Sequence, residues 1–214
     1  MYQTLKLPLP PKKADSPFPI FIYGGSTAMG ITGIQYAKLS GLTVITTASA
    51  KNAEYLKSLG ADEVLDYKSE TLVDDVRRLT DGRLAHAWDC RANADSARIC
   101  AAAMADAGGQ YTSLLHGTAE PVAAVNPHVS TVVTLYYTIF GERDPMLGEA
   151  PPVTQNYEFG KMFWELSAGL LAEGKIKPIR IRTNDGGSGL EGVLKGLNIG
   201  AEGGYSAEKL VYTI

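Results

Sequence analysis

Apolar residues in this chain fall into short uninterrupted runs, separated by longer stretches in which they recur every three or four positions. Ile20-Phe21-Ile22-Tyr23 is such a run and suits a strand buried on both faces of a parallel sheet. Thr43-Val44-Ile45-Thr46-Thr47 is β-branched, as a second strand should be, and Glu63-Val64-Leu65-Asp66-Tyr67, Leu84 to Cys90 and Gly109 to Leu114 supply a third, fourth and fifth. Between them, Ile31, Ile34, Tyr36-Ala37 and Leu39 keep helical spacing until Gly41 stops them. A helix is predicted from about Ala53 to Leu59, capped by Gly60, and another over Ser69 to Leu79, with Leu72, Val73, Val76 and Leu79 on one face before Asp81-Gly82 breaks it. An alanine-rich helix is predicted from Asn93 to Ala105. Strand and helix alternate with no hairpin signal, which predicts an α/β fold with a doubly wound parallel sheet.

Outside that stretch the pattern loosens. Met1 to Pro19 is too proline-dense for a helix or a central strand and reads as a lead-in. Leu115 to His128 reads as an irregular loop, Val129 to Tyr136 as a sixth strand, and Asp144 to Pro152 as a proline-rich loop. A helix from Tyr157 to about Glu173 has a broad apolar face, ended by Gly174. Then come an extended stretch, Ile176 to Arg182, a short helix, Gly189 to Ile199, and a terminal strand, Lys209 to Ile214. The expected division is a lead-in (1–19), a cofactor domain (20–175) and a short C-terminal appendage (176–214).

The candidate chemistry lies where the first strand meets the first long helix. Gly24-Gly25 ends the strand, and Ser26-Thr27-Ala28-Met29-Gly30 leads into the helix. Such a turn leaves the helix's first amides unpaired beside the positive end of its dipole, which makes an anion site suited to a nucleotide pyrophosphate. Gly24 and Gly30 can serve as the turn glycine and the close-packing glycine of a dinucleotide fingerprint. The central glycine is not at its expected place, where Thr27 and Ala28 stand; a glycine turn serving only packing is the other reading. The Ser26 and Thr27 hydroxyls are candidate donors to phosphate oxygens.

Composition narrows the classes. With 214 residues and 45% hydrophobic content the chain can bury one sizeable core. A net charge of −3 leaves no electrostatic footprint for nucleic acid or an anionic membrane. No apolar run approaches the roughly 18 residues that a membrane span needs, so a cytoplasmic location is the default expectation. Cys90 and Cys100 are expected as reduced, buried thiols, and the scattered His86, His116 and His128 suggest no metal site.

A cofactor without a 2′-phosphate is usually met by an acid about 20 residues beyond the glycine turn. Here Ser49, Lys51 and Asn52 stand there, and all three can donate to a phosphate, which favours NADPH over NADH. The alternative is that Ser49 caps the next helix and Lys51 is a solvated surface lysine. Asn93 either lines the cleft or caps the helix that follows it.

The run Pro17-Phe-Pro-Ile-Phe-Ile-Tyr-Gly-Gly-Ser-Thr-Ala, Asp62 to Tyr67, Trp88-Asp89-Cys90 and Thr138-Ile-Phe-Gly-Glu142 together resemble the zinc-free medium-chain dehydrogenase/reductases, closest to the fungal trans-acting polyketide enoyl reductases. The resemblance covers nearly the whole chain. It implies a Rossmann domain that binds NADPH and delivers hydride to an α,β-unsaturated polyketide thioester, with a polyketide synthase or its acyl-carrier-bound substrate as partner. Carried over, the pattern puts Ser26 and Thr27 at the pyrophosphate and Ser49, Lys51 and Asn52 around the 2′-phosphate. Tyr67 would lie beside the adenosine and Leu114 beside the nicotinamide. The backbone of Ile139 and Phe140 would bond the carboxamide, with Lys209 near the cofactor. By the residues alone Tyr67 is equally a half-buried strand-end aromatic, Ile139 and Phe140 are core, and Lys209 is a solvated lysine. His116 and the Asp89–Cys90 pair have no partner constellation for acid–base or nucleophilic work.

The resemblance further implies a separate GroES-like domain ahead of Met1 that completes the substrate site. Apolar surface is then expected after Ile176, with self-association as its remedy. Three readings follow: an NADPH-binding enoyl reductase domain, a shortened relative that catalyses a non-redox cyclisation on a polyketide, or a non-catalytic partner of a synthase. The first is the expectation.

Overall fold

The computed structural model describes residues 1–133, 136–141 and 154–214. Six strands, β1 (Pro19–Tyr23), β2 (Thr43–Ala48), β3 (Glu63–Asp66), β4 (His86–Asp89), β5 (Gly109–Ser113) and β6 (Val129–Val133), form one sheet in the order β3-β2-β1-β4-β5-β6. Every pairing is parallel. The order reverses between β1 and β4, which opens a crevice at the carboxyl ends of those strands.

Side chains alternate across this sheet and divide the core into two layers. Ile20, Ile22, Val44 and Trp88 face α2 (Ala28–Leu39) and α3 (Ala53–Ser58), with α7 (Thr154–Ala172) packed beyond them. Phe21, Tyr23, Ile45, Ala87 and Tyr111 face α4 (Leu72–Leu79), α5 (Ala94–Ala103) and α6 (Ala119–Val125). A strand covered on both sides needs apolar residues at every position, so β1 reads as a continuous run.

Three expectations need correction. The lead-in begins with a single helical turn, α1 (Tyr2–Leu5), which fits because it ends before the first proline. Tyr2 is buried and its hydroxyl meets the Tyr36 carbonyl at 3.1 Å and Ser40 Oγ at 2.9 Å, so this segment belongs to the core. The stretch expected as an irregular loop contains α6, in which Pro121 stands within the first turn, where a missing N–H costs nothing. Of the stretch expected as a strand from Val129 to Tyr136, Val129–Val133 is strand among the described residues, and Tyr136 belongs instead to a 3₁₀ turn, Tyr136–Phe140. The proline-rich loop expected from Asp144 to Pro152, and Glu142 of the last motif, lie outside the described residues.

A second, two-stranded parallel sheet, β7 (Arg180–Thr183) with β8 (Glu208–Val211), is joined by α8 (Gly189–Ala201). Tyr212 lies against the gap left by Gly192 and Gly196 of α8. Leu190, Leu194 and Leu197, spaced along one face of α8, are each more than 60% exposed, as is Ile181 of β7.

Two predictions follow from the packing. A β-carbon at Gly33 would collide with the Trp88 ring. Gly33→Ala is therefore expected to cost about 1–3 kcal/mol, read as a lower midpoint in denaturant with an unchanged slope. His86 rests its ring 5.0 Å from that of Phe18, and its Nδ1 is buried with no partner among the described residues. Burial holds its pKa below the ordinary 6.5. The unfolded chain therefore takes up this proton first on acidification, and the stability present above pH 6.5 is lost as the pH falls through the lower folded value. Chemical denaturation at about pH 7.5 and about pH 5.5 should show a smaller loss for His86→Phe than for the parent chain.

Candidate functional site: the crevice at the carboxyl ends of the sheet

Gly24 leaves β1 at φ +85°, a conformation that glycine adopts without strain. Its N–H donates to Thr47 Oγ1 at 2.9 Å and the Gly25 N–H to the Thr47 carbonyl at 2.9 Å, so the turn is clamped to β2. Thr27 is the N-cap of α2. Its hydroxyl accepts from the Gly30 N–H at 3.0 Å and donates to the Gly24 carbonyl at 2.8 Å. The hydroxyl expected to donate to a phosphate thus spends its proton inside the turn, which corrects the role given to the Thr27 side chain. The amides of Ser26, Ala28 and Met29 have no hydrogen-bond partner among the described residues. A β-carbon on Gly30 would collide with the Gly24 carbonyl and stand 2.7 Å from Gly25 Cα, so Gly30 is what lets α2 start against the strand.

At the end of β2, Ser49 occupies the N-cap position of a 3₁₀ turn (Ala50–Asn52), yet its side chain makes no capping bond. The capping alternative fails, and the hydroxyl stays uncommitted. Lys51 is exposed and forms no ion pair with a described residue. Asn52 differs from expectation. It is only 3% exposed and its Nδ2 donates to Ser206 Oγ at 2.8 Å, so it ties the C-terminal segment to the β2 loop instead of facing a ligand. The register Ala48↔Asp66 sets the ends of β2 and β3 side by side. Tyr67 follows there, 42% exposed, with Lys68 Nζ 5.7 Å from its ring centroid.

The organising residue of the β4 end was not singled out by sequence reasoning as more than an unsupported acid. Asp89 is fully buried. Its Oδ1 accepts from the backbone N–H groups of Arg91 at 2.9 Å and Ala92 at 2.8 Å, and its Oδ2 from Ser96 Oγ at 2.6 Å and the Tyr111 hydroxyl at 2.9 Å. An acid closing an apolar strand, with a helix start a few residues on, was the signal available in the sequence. Burial, then the Asp89 charge, pushes the Tyr111 phenol up, which keeps it a donor. The same two causes push the Cys90 thiol up, which disfavours a thiolate nucleophile. Asn93 is the N-cap of α5 in a capping box with Ser96, which decides between its two readings.

At the β5 end, Leu114 is half-buried and packs against the α2-side core. His116 is exposed and makes no hydrogen bond with a described residue. Ile139 and Phe140 are not core: they are 39% and 59% exposed on the 3₁₀ turn beyond β6, with the Ile139 side chain against Gly160. Lys209 is exposed on β8, opposite Ile181, and pairs with no described acid. The fold therefore gathers the Gly24–Gly30 turn, Ser49, Lys51 and Tyr67 at one end of the sheet. Among the described residues, no three His, Cys, Asp or Glu side chains stand close enough to hold a metal ion.

Comparisons with known proteins agree with this architecture. The zinc-binding dehydrogenase family matches residues 28–146, more than half of the chain. A dual trans-enoyl reductase/FAD-dependent monooxygenase of Aspergillus terreus is 45% identical over 95% of this chain and 28% of its own length. A trans-enoyl reductase of Alternaria alternata is 40% identical over all of this chain and 60% of its own. The enoyl reductase component of the lovastatin nonaketide synthase of Aspergillus terreus is 36% identical over 98% of this chain and 59% of its own. Among solved structures, a putative zinc-dependent alcohol dehydrogenase from Rhizobium etli superposes with a TM-score of 0.73 at 24% identity, covering all of this chain and 60% of that one. The chain thus spans from about a quarter to three fifths of the length of these relatives. The fold matches a dehydrogenase architecture, and the chain belongs to the zinc-binding dehydrogenase family and is related along nearly all of its length to fungal trans-enoyl reductases.

Proposed function

We propose that the chain is the NADPH-binding domain of an enoyl reductase that acts on α,β-unsaturated polyketide thioesters presented by a synthase or its acyl carrier. The observation that carries this reading is the start of α2: the amides of Ser26, Ala28 and Met29 are unpartnered among the described residues, at the foot of a helix that Gly30 allows to begin against β1. Three such donors with the helix dipole fit a pyrophosphate. Beyond β2 there is a hydroxyl and an ammonium, Ser49 and Lys51, neither engaged by a described residue. Both donate to a 2′-phosphate, where an acid would repel it.

Bound in the crevice, the cofactor supplies a hydride. The chain's own residues bind and orient: Thr27 holds the turn, Ser49 and Lys51 read the 2′-phosphate, Tyr67 flanks the adenosine, and Leu114 gives the nicotinamide an apolar wall. The backbone of Ile139 and Phe140 is assigned to the carboxamide and Lys209 to the cofactor's rim, both by likeness to the family. The proposal includes the division at residues 19 and 175, a cytoplasmic setting, and self-association or a further domain to cover α8. Relatives at 36–40% identity, one named a trans-enoyl reductase and one the enoyl reductase component of a nonaketide synthase, support it.

A titration by cofactor fluorescence tests the binding half. A charged hydrogen bond contributes on the order of 1.5–3 kcal/mol, so NADPH should bind roughly tenfold or more tighter than NADH, and Lys51→Ala should narrow that gap. Equal affinities in the parent chain would defeat the assignment of Ser49 and Lys51.

The catalytic half rests on orientation, which is worth about 10⁵–10⁸ M in effective molarity when both reactants are held. Mixed with NADPH and an α,β-unsaturated thioester, this chain alone is expected to oxidise the cofactor very slowly. Fusing the GroES-like domain of a relative to it should raise the rate by several powers of ten, followed as loss of NADPH absorbance. Conversion of a linear polyene to an isomer of unchanged mass, with NADPH untouched, would replace this reading with a cyclisation.

A further inference from the structure

The turn that carries Ser49 and Lys51 is short and has few bonds of its own. The Asn52 N–H donates to the Ser49 carbonyl at 2.9 Å, and the Ala53 N–H to the Ala50 carbonyl. Ser49 makes no capping bond, and Ala50 and Lys51 are exposed. A 3₁₀ turn of this length has poor hydrogen-bond geometry and does little to fix its own shape. What anchors it is the Asn52 side chain, which is buried and donates through Nδ2 to Ser206 Oγ at 2.8 Å.

Ser206 is itself held in place. Ala207, the next residue, is buried in the α2-side core at φ +57°, a conformation a β-carbon disfavours and that the surrounding contacts must therefore impose. Strand pairing sets Arg180 opposite Glu208, and the Arg180 guanidinium lies 3.9 Å over the ring of Tyr55, in α3 just beyond the turn. The C-terminal segment thus grips the chain at Asn52 and again at Tyr55, immediately after Lys51. The buried asparagine that closes the turn takes its partner 154 residues away.

Resting on the reading of Ser49 and Lys51 as donors to the 2′-phosphate, we propose that Asn52 and Ser206 are positioning residues for that recognition. Their bond keeps the turn in one shape, so the C-terminal segment shares in setting the preference for NADPH over NADH. A donor on a loose turn has to be ordered when ligand binds, and that cost is subtracted from affinity. Only NADPH bears the phosphate, so only NADPH carries the cost. A bond that merely fastened the C-terminal segment to the body would affect both dinucleotides alike or neither.

The test uses the whole chain, cofactor fluorescence, and NADPH and NADH. Ser206→Ala is expected to weaken NADPH by roughly two- to tenfold, the range of one neutral hydrogen bond, and to leave NADH as in the parent. Ser206→Thr, which keeps the hydroxyl, should keep the parent's ratio of affinities. In a chain already carrying Lys51→Ala, adding Ser206→Ala should change the ratio less than it does alone, because the two act on one contact. Exchange of the Asn52 amide proton, followed by NMR, should be faster in Ser206→Ala. Should that variant not fold, Asn52→Leu removes the other partner of the bond at similar bulk and is read in the same way. A ratio unchanged by loss of the bond overturns the proposal, and so does an equal loss for both dinucleotides. If the parent chain binds NADPH and NADH equally, the reading of Ser49 and Lys51 fails and the positioning role with it. If the parent prefers NADPH and Ser206→Ala keeps that preference, only the positioning role fails.

Discussion

Most of this molecule depends on how closely α2 can approach the sheet. A β-carbon at Gly30 would meet the Gly24 carbonyl, and one at Gly33 would meet the Trp88 ring, so two glycines on one helix let its axis settle against β1 and β4. The buried residues Ile31, Ile34 and Ala37 then pack directly on the strands. The same approach sets the helix's unpaired amides at the mouth of the crevice instead of out over solvent. Core packing and the placement of these unpaired amides therefore share one geometric requirement, and Thr27 enforces it by bonding both ends of the turn.

The opposite wall of the crevice rests on a different device. Asp89 is a carboxylate that forms no ion pair with a described residue; it is buried at the end of a strand and held by four donors. A buried charge is tolerable when hydrogen bonds replace the lost water. Two of those donors are backbone amides of the next loop, one belongs to the following helix and one to the neighbouring strand. A single side chain thus ties β4, β5, α5 and the loop between them into one unit.

The C-terminal segment buries Ile176 and Ala207 in the α2-side core and adds polar ties to the body. Asn52 bonds Ser206, the Arg180 guanidinium lies 3.9 Å over the Tyr55 ring, and both polar atoms of the Gln35 side chain bond the Lys177 backbone. The leucine face of α8, by contrast, stays outward. An amphipathic helix with its apolar side in solvent has lost the usual reason for its pattern. This is the physical ground for expecting a covering surface.

Much of the architecture was readable in the chain. The uninterrupted run of β1, the β-branched β2 and the intervening helical periods determined an alternating parallel fold, because burial on both faces demands those patterns. The glycine turn was readable because only glycine permits both φ +85° and a helix start in contact with the strand. What each polar side chain does was not readable, since that depends on which donors and acceptors folding brings within 3 Å. Thr27 spends its hydroxyl within its own turn, and Asn52 turns inward to a serine 154 residues away. Ser49 leaves its cap unmade. Asp89 looked like one acid among many until β5 placed Tyr111 beside it. Periodicity is a local property and survives translation from sequence to element; the pairing of hydrogen-bonding groups is a property of the assembled surface, and only the tertiary structure decides it.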